Sequence, residues 1–167
     1  MKKFLSALAL LLVVAGCSNA PAENGNSSKE DQSAAITTLD AATFAKELES
    51  TETVKFYVND PEDTSVTLAE GEFDADTADA KKEVADTISS LDLKEADDQK
   101  KVYGTPLFIV DLNAVSAPNY ARFAVFEDVV VIQTKDKFVN YTLDDASEEA
   151  INTLTDSLVA TFAPEEE

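Results

Sequence analysis

Hydrophobic positions along this chain change their spacing several times, and each change marks an element. Phe4 to Val14 is an apolar run broken only by Ser6, whereas Ser18 to Ser33 holds no bulky apolar residue. From Ile36 a periodic pattern begins. Asp40 stands as an N-cap, with Leu39 before it and Phe44 at the spacing of a hydrophobic staple. Phe44, Ala45 and Leu48 then form one stripe, predicting a helix over 41–50. Val54, Phe56 and Val58 alternate as on a strand over 53–58. Asn59 to Glu62 and Asp63 read as a turn, and Ser65 to Ala69 as a second strand antiparallel to the first.

Residues 76–90 predict a helix, with acids around its first turn and Val84, Ile88 and Leu91 at i, i+4 and i+7. The stretch 91–103 is weakly patterned, with a strand assigned at 91–95. Leu107 to Leu112 is nearly all apolar and reads as a central strand. Tyr120–Phe126 and Val129–Gln133 flank Glu127-Asp128, a two-residue connection that predicts a tight hairpin. Lys135-Asp136 turns the chain into a strand at 138–143, completing a meander. Asp144 or Asp145 then caps a helix to Phe162, with Glu148 as the capping-box partner and Ile151, Leu154, Leu158 and Phe162 as its buried face. Strands and helices do not alternate regularly, so a doubly wound parallel sheet is not expected. The predicted fold class is α+β: an antiparallel sheet, including the C-terminal β-meander, with helices packed on one face. The acidic strand-turn regions 59–63 and 70–76 fall at the sheet's margins.

The N-terminus has a chemistry of its own. Met1-Lys2-Lys3 is a positive start, and the apolar run after it is shorter than the about 20 residues needed to span roughly 30 Å of hydrocarbon. Its length suits a secretion signal. The run ends in Val14-Ala15-Gly16-Cys17, which resembles the lipobox of bacterial lipoproteins. That resemblance implies cleavage between Gly16 and Cys17 and a diacylglyceryl thioether on the Cys17 sulfur, with further acylation of the new amino group in many bacteria. The rival is a plain signal peptide with a nearby thiol, a weaker fit to length, charge and small residues together. The expected organisation is a signal peptide at 1–16, lipidated Cys17 and a polar tether at 17–35, a single α+β domain at 36–163, and an acidic tail at 164–167. A tether this polar cannot bury enough surface to offset its ordering entropy, and sixteen such residues reach on average about 20–25 Å. The resemblance places the domain outside the cytoplasm. It lies on the outer face of a plasma membrane, or on the periplasmic side of an outer membrane, for which Ser18 is compatible.

Charge narrows the partners. The chain has 33 acidic and 13 basic residues and no histidine. The signal holds two of the lysines and no acid, so the remainder carries 11 basic residues and a net charge of −22. Such a field opposes approach to phosphate, and nucleic acid is excluded as a partner. The membrane, through the Cys17-linked lipid, is one expected partner; a basic protein or peptide is another. Solubility alone is the blander and stronger account of the acids.

Absences remove most catalytic chemistry. Without histidine there is no Ser-His-Asp or Cys-His arrangement and no His-ligated metal, and with Cys17 lipidated no thiolate remains. Only Gly71 and Gly104 lie within the domain, so there is no glycine-rich phosphate cradle. No catalytic residue and no cofactor is expected. Calcium needs only oxygen ligands, and Asp74, Asp76 and Asp79 form the candidate metal site, with Asp60, Glu62 and Asp63 as a second. The EF-hand pattern fails at Ala78, Asp79 and Ala85, and acids before a helix are more simply caps. Arg122, the only arginine, reads as an internal ion pair or a cation over a ring. Tyr57, Tyr103, Tyr120 and Tyr141 suit either a protein-binding face or sheet packing, with packing favoured for most. The expected function is a non-enzymatic binding or interaction lipoprotein. The alternatives are an acidic cation-binding module and, further behind, a hydrolase working through carboxylates alone.

Overall fold

The computed structural model describes Ile36 and residues 38–163. Contacts divide the chain into Met1–Asp31 and Gln32–Glu167, and the described residues all belong to the second unit. Its elements are α1 (Ala41–Ser50), β1 (Val54–Asn59), β2 (Thr67–Phe73), α2 (Ala78–Ser90), β3 (Lys94–Glu95), β4 (Phe108–Leu112), β5 (Ala121–Val125), β6 (Val129–Thr134), β7 (Phe138–Thr142) and α3 (Asp145–Phe162). The seven strands form one sheet in the order β2-β1-β4-β5-β6-β7-β3, antiparallel at every pairing. This is the α+β architecture expected from the pattern. β4 is an interior strand as predicted, while β5 occupies the middle of the sheet.

The two-residue strand period decides which face is core. Register puts Phe73, Val54, Leu112 and Ala121 in one cross-sheet row and Gly71, Phe56, Val110, Phe123 and Ile132 in the next. Apart from Gly71, these residues join a single buried cluster with Phe44 and Leu48 of α1, Val84 and Ile88 of α2, and Ile151, Leu154 and Leu158 of α3. All three helices therefore cover the same face. Phe44 meets Phe123 with ring centroids 5.7 Å apart, and Phe56, Phe73 and Phe162 form a three-ring cluster that seats the end of α3. Gly71 is needed in that seat, since a Cβ there would lie 2.9 Å from Phe56 Cε1.

Helix starts follow their caps. Asp40 accepts from Thr43 N at 2.8 Å, and Asp144 accepts from Ser147 N at 2.8 Å. Ser147 is thus the N3 residue of α3, and Glu148 lies one position too far along to close a capping box. The Ser147 hydroxyl instead accepts from Asp92 N at 3.0 Å. At the other end of α1, the Lys81 ammonium of α2 donates to Thr51 O at 2.7 Å and Glu49 O at 3.3 Å. This puts a cation where the α1 dipole is negative; partial burial there lowers the Lys81 pKa, against the opposing charge of Glu49.

Two expectations need correcting. The second strand, expected over 65–69, runs instead over Thr67–Phe73 at the sheet's edge, because Gly71 lets it continue beneath the Phe56 ring. The strand assigned at 91–95 shrinks to Lys94–Glu95, which pairs with Thr142 and Tyr141 at the far edge of the sheet. From there residues 96–107 form a strap back to β4. Asn140, 3% exposed, holds its first half: Nδ2 donates to Lys100 O at 2.7 Å and Asp98 O at 3.2 Å. Asn59 holds its end, donating to Pro106 O at 2.8 Å while accepting from the Thr67 hydroxyl at 2.9 Å.

Candidate binding cleft

A cleft of about 930 Å³ opens where the ends of β1, β4 and β5 meet α3. Its floor is apolar. Val58, Phe108, Val125 and Ile151 are buried there, and Leu68, Leu107, Leu143 and Val159 are half-buried. α3 contributes Glu148, Ile151, Asn152, Thr155, Asp156 and Val159, which share a continuous side of the helix by their i, i+3, i+4 spacing. The strap supplies Val102 to Thr105, and the β5–β6 turn supplies Phe126, Glu127 and Asp128. Four acids therefore line the mouth, and no lysine or arginine does.

Each of those four carboxylates is exposed, and none makes an ion pair or a side-chain hydrogen bond within the described residues. Tyr103, 83% exposed, stands beside them on the strap. Lys101 Nζ lies 5.8 Å from its ring centroid. Gly104 follows with φ of 122°, a backbone conformation that favours glycine, and it turns the strap beside the tyrosine.

The metal candidates fare differently. Asp74 Oδ1 accepts from Asp76 N at 2.9 Å, Thr77 N at 3.0 Å and the Thr77 hydroxyl at 3.0 Å. Hydrogen bonds from Thr77, side chain first and backbone second, lower its pKa. Asp79 lies in the first turn of α2. Among the described residues no group of three or more acids is arranged to hold a metal ion, the Asp74, Asp76 and Asp79 set included. The Asp74 Oδ1 instead holds the turn that starts the helix. In the Asp60, Glu62 and Asp63 segment, Asp60 accepts from Glu62 N at 2.7 Å and Asp63 accepts from the Ser65 hydroxyl at 2.6 Å. That hydroxyl, then the Ser65 amide, lowers the Asp63 pKa.

Arg122 is an internal partner on the sheet face away from the helices. Its Nε and Nη2 bind Asp111 Oδ1 and Oδ2 at 2.7 and 2.9 Å, and its guanidinium lies 5.9 Å from the Tyr120 ring. Tyr120 OH donates to the same Asp111 at 3.0 Å. Burial first, and the Asp111 charge second, push the Tyr120 hydroxyl up to about 12. Tyr141 OH donates to Leu39 O, and Tyr57 is half-buried on β1. Packing accounts for three tyrosines, and Tyr103 is the exception.

Cys17 and Gly16 lie outside the described residues. Residues 1–18 match the family model for the prokaryotic membrane lipoprotein lipid attachment site. The chain carries a bacterial lipoprotein signal. No curated protein matches this lipoprotein, and no solved structure matches it. No helix among the described residues is long and apolar enough to cross a membrane.

The cleft escaped the sequence reading because its lining comes from segments scattered between Val58 and Val159. A signal for the strap was present: Asn140 is a polar residue at a β position between Val139 and Tyr141. A buried polar side chain in such a place must find partners, and the strap backbone supplies them.

Proposed function

We propose that this lipoprotein is a non-enzymatic binding module, held outside the cytoplasm by lipid on Cys17, with the cleft between α3 and the sheet end as its binding site. The observation that carries the reading is the cleft itself, an apolar floor with a few polar groups and with its charged lining residues all exposed, the usual build of a recognition site. Its chemistry favours binding over turnover. The lining holds no histidine, cysteine or lysine, and its carboxylates are exposed. A carboxylic acid that donates a proton near neutral pH is normally withdrawn into apolar surroundings, as none of these is. The acidic turns 60–65 and 74–77 hold their own backbone, so they lend no support to a cation-binding role.

Photo-crosslinking in living cells tests this reading. A photoreactive amino acid at Thr155, inside the cleft, is expected to give discrete adducts, while the same group at exposed Glu52 gives none. Absence of any adduct from Thr155 removes the cleft as a binding site. The anchoring half has its own check. Cys17→Ser should leave the membrane fraction and lose lipid labelling, and an unchanged fractionation pattern contradicts lipidation at Cys17.

A further inference from the structure

We infer that the cleft takes a cationic amphipathic peptide segment, with apolar side chains on its floor and lysine or arginine side chains among the mouth carboxylates and the Tyr103 ring. This rests on the cleft being the binding site and adds the class of ligand. Three observations converge. The floor and mouth differ in kind, so a ligand must be apolar on one side and polar on the other. Glu127, Asp128, Glu148 and Asp156 surround the mouth with no cation among the lining residues, so the polar side of the ligand must be positive. Their charges also stand within a field of net −22 outside the signal, which speeds the encounter with a cation and opposes an anion.

The third observation is Tyr103. An exposed ring at a cleft mouth is costly to leave wet, and this one already has an ammonium, that of Lys101, 5.8 Å from its centroid. With Tyr103 83% exposed, the opposite face of the ring is open to a basic side chain of a ligand by the same cation–π attraction. Size selects a peptide over a small organic cation. The lined side of α3 from Glu148 to Val159 is ~16 Å long at 1.5 Å per residue, enough for ~5 residues of extended chain.

The test uses the full lipidated protein in phosphatidylcholine nanodiscs, with empty nanodiscs as the blank. A fluorescein-labelled amphipathic Leu/Lys peptide and its Leu/Glu counterpart are titrated and followed by anisotropy. The Leu/Lys peptide should bind at least tenfold more tightly. Neutralising the mouth (Glu127→Gln, Asp128→Asn, Glu148→Gln and Asp156→Asn together) should weaken it at least tenfold, whereas neutralising Glu52, Glu70, Asp97 and Asp136 should change it less than threefold. Asn152→Trp, which fills the cleft from an exposed helix position, should block binding without lowering the Tm, and Tyr103→Ser should weaken it severalfold. Equal losses from the two sets of neutralised acids reduce the effect to general charge and overturn the inference, as does full binding by Asn152→Trp. Displacement of the peptide by dodecylammonium at an equal concentration overturns the choice of a peptide. If Thr155 still crosslinks in cells while the Leu/Lys peptide shows no preference, the cleft stands and the ligand class falls. If Thr155 crosslinks nothing, the cleft itself falls.

Discussion

The acids that begin α2 and the acids around the cleft come from the same composition and are put to opposite uses. Asp74 accepts three hydrogen bonds from its own turn, and Asp63 is held by Ser65. Glu127, Asp128, Glu148 and Asp156 hold nothing within the described residues and point their charge at solvent around an apolar opening. Asp111 is the extreme case of an employed acid, 8% exposed and shared by Arg122 and Tyr120. An acid-rich sequence thus mixes structural and available carboxylates, and only their hydrogen-bond partners separate the two.

Mutating along that series should give a falling series of effects on stability. Asp111→Ala leaves Arg122 and the Tyr120 hydroxyl unpaired and should cost about 2–3 kcal/mol by urea unfolding. That is below the roughly 3–5 kcal/mol for breaking a fully buried pair, because the Arg122 side chain keeps 30% exposure. A loss under about 0.5 kcal/mol would place Asp111 with the idle acids.

The next effect appears at high pH. Because the Tyr120 pKa is raised to about 12 from 10.0, its share of stability is complete below pH 10 and is lost as pH rises toward 12. The loss is on the order of 2 kcal/mol. Tyr120→Phe should flatten the alkaline limb by that amount relative to wild type; parallel limbs would show that the phenol does not titrate in place.

Asp74→Ala should lower the Tm by a few degrees, since α2 would start without its turn. The sign at low pH follows from the lowered pKa: the stability Asp74 brings is present above 3.8 and lost as pH falls through its lower folded value. The variant should therefore lose less stability than wild type when acidified below pH 4, and an unchanged acid limb contradicts the turn-holding role. Smallest of all, Glu127→Gln, Asp128→Asn and Asp156→Asn should each leave stability within roughly 0.5 kcal/mol, as surface changes do. A clear drop would reveal that a mouth carboxylate has a structural partner after all.

How much of this is readable without coordinates depends on whether the cause is local. α1 begins and ends where Asp40 and its apolar stripe place it, and the β5–β6 turn falls at Glu127-Asp128, because caps and tight turns are made by neighbours in the chain. β2 runs past its predicted end since the need for Gly71 comes from Phe56, on the adjacent strand. The strap looked like unpatterned chain, for its order comes from Asn140 and Asn59, which are far from it in sequence. Arg122 was legible as an internal partner by its solitude, although its choice of Asp111 required the β4–β5 register. The cleft was least legible, being a property of how α3 lies across strand ends.

One edge of the sheet has a consequence for life on a membrane. A lipid anchor concentrates molecules in two dimensions, where strands with open edges meet often and can add to one another. β2 is such an edge, and it carries Glu70 and Glu72 with both side chains exposed, while the opposite edge is only the two residues Lys94 and Glu95. Two copies approaching edge to edge along β2 would bring the Glu70 carboxylates together, so this edge opposes strand addition where the anchor raises encounters.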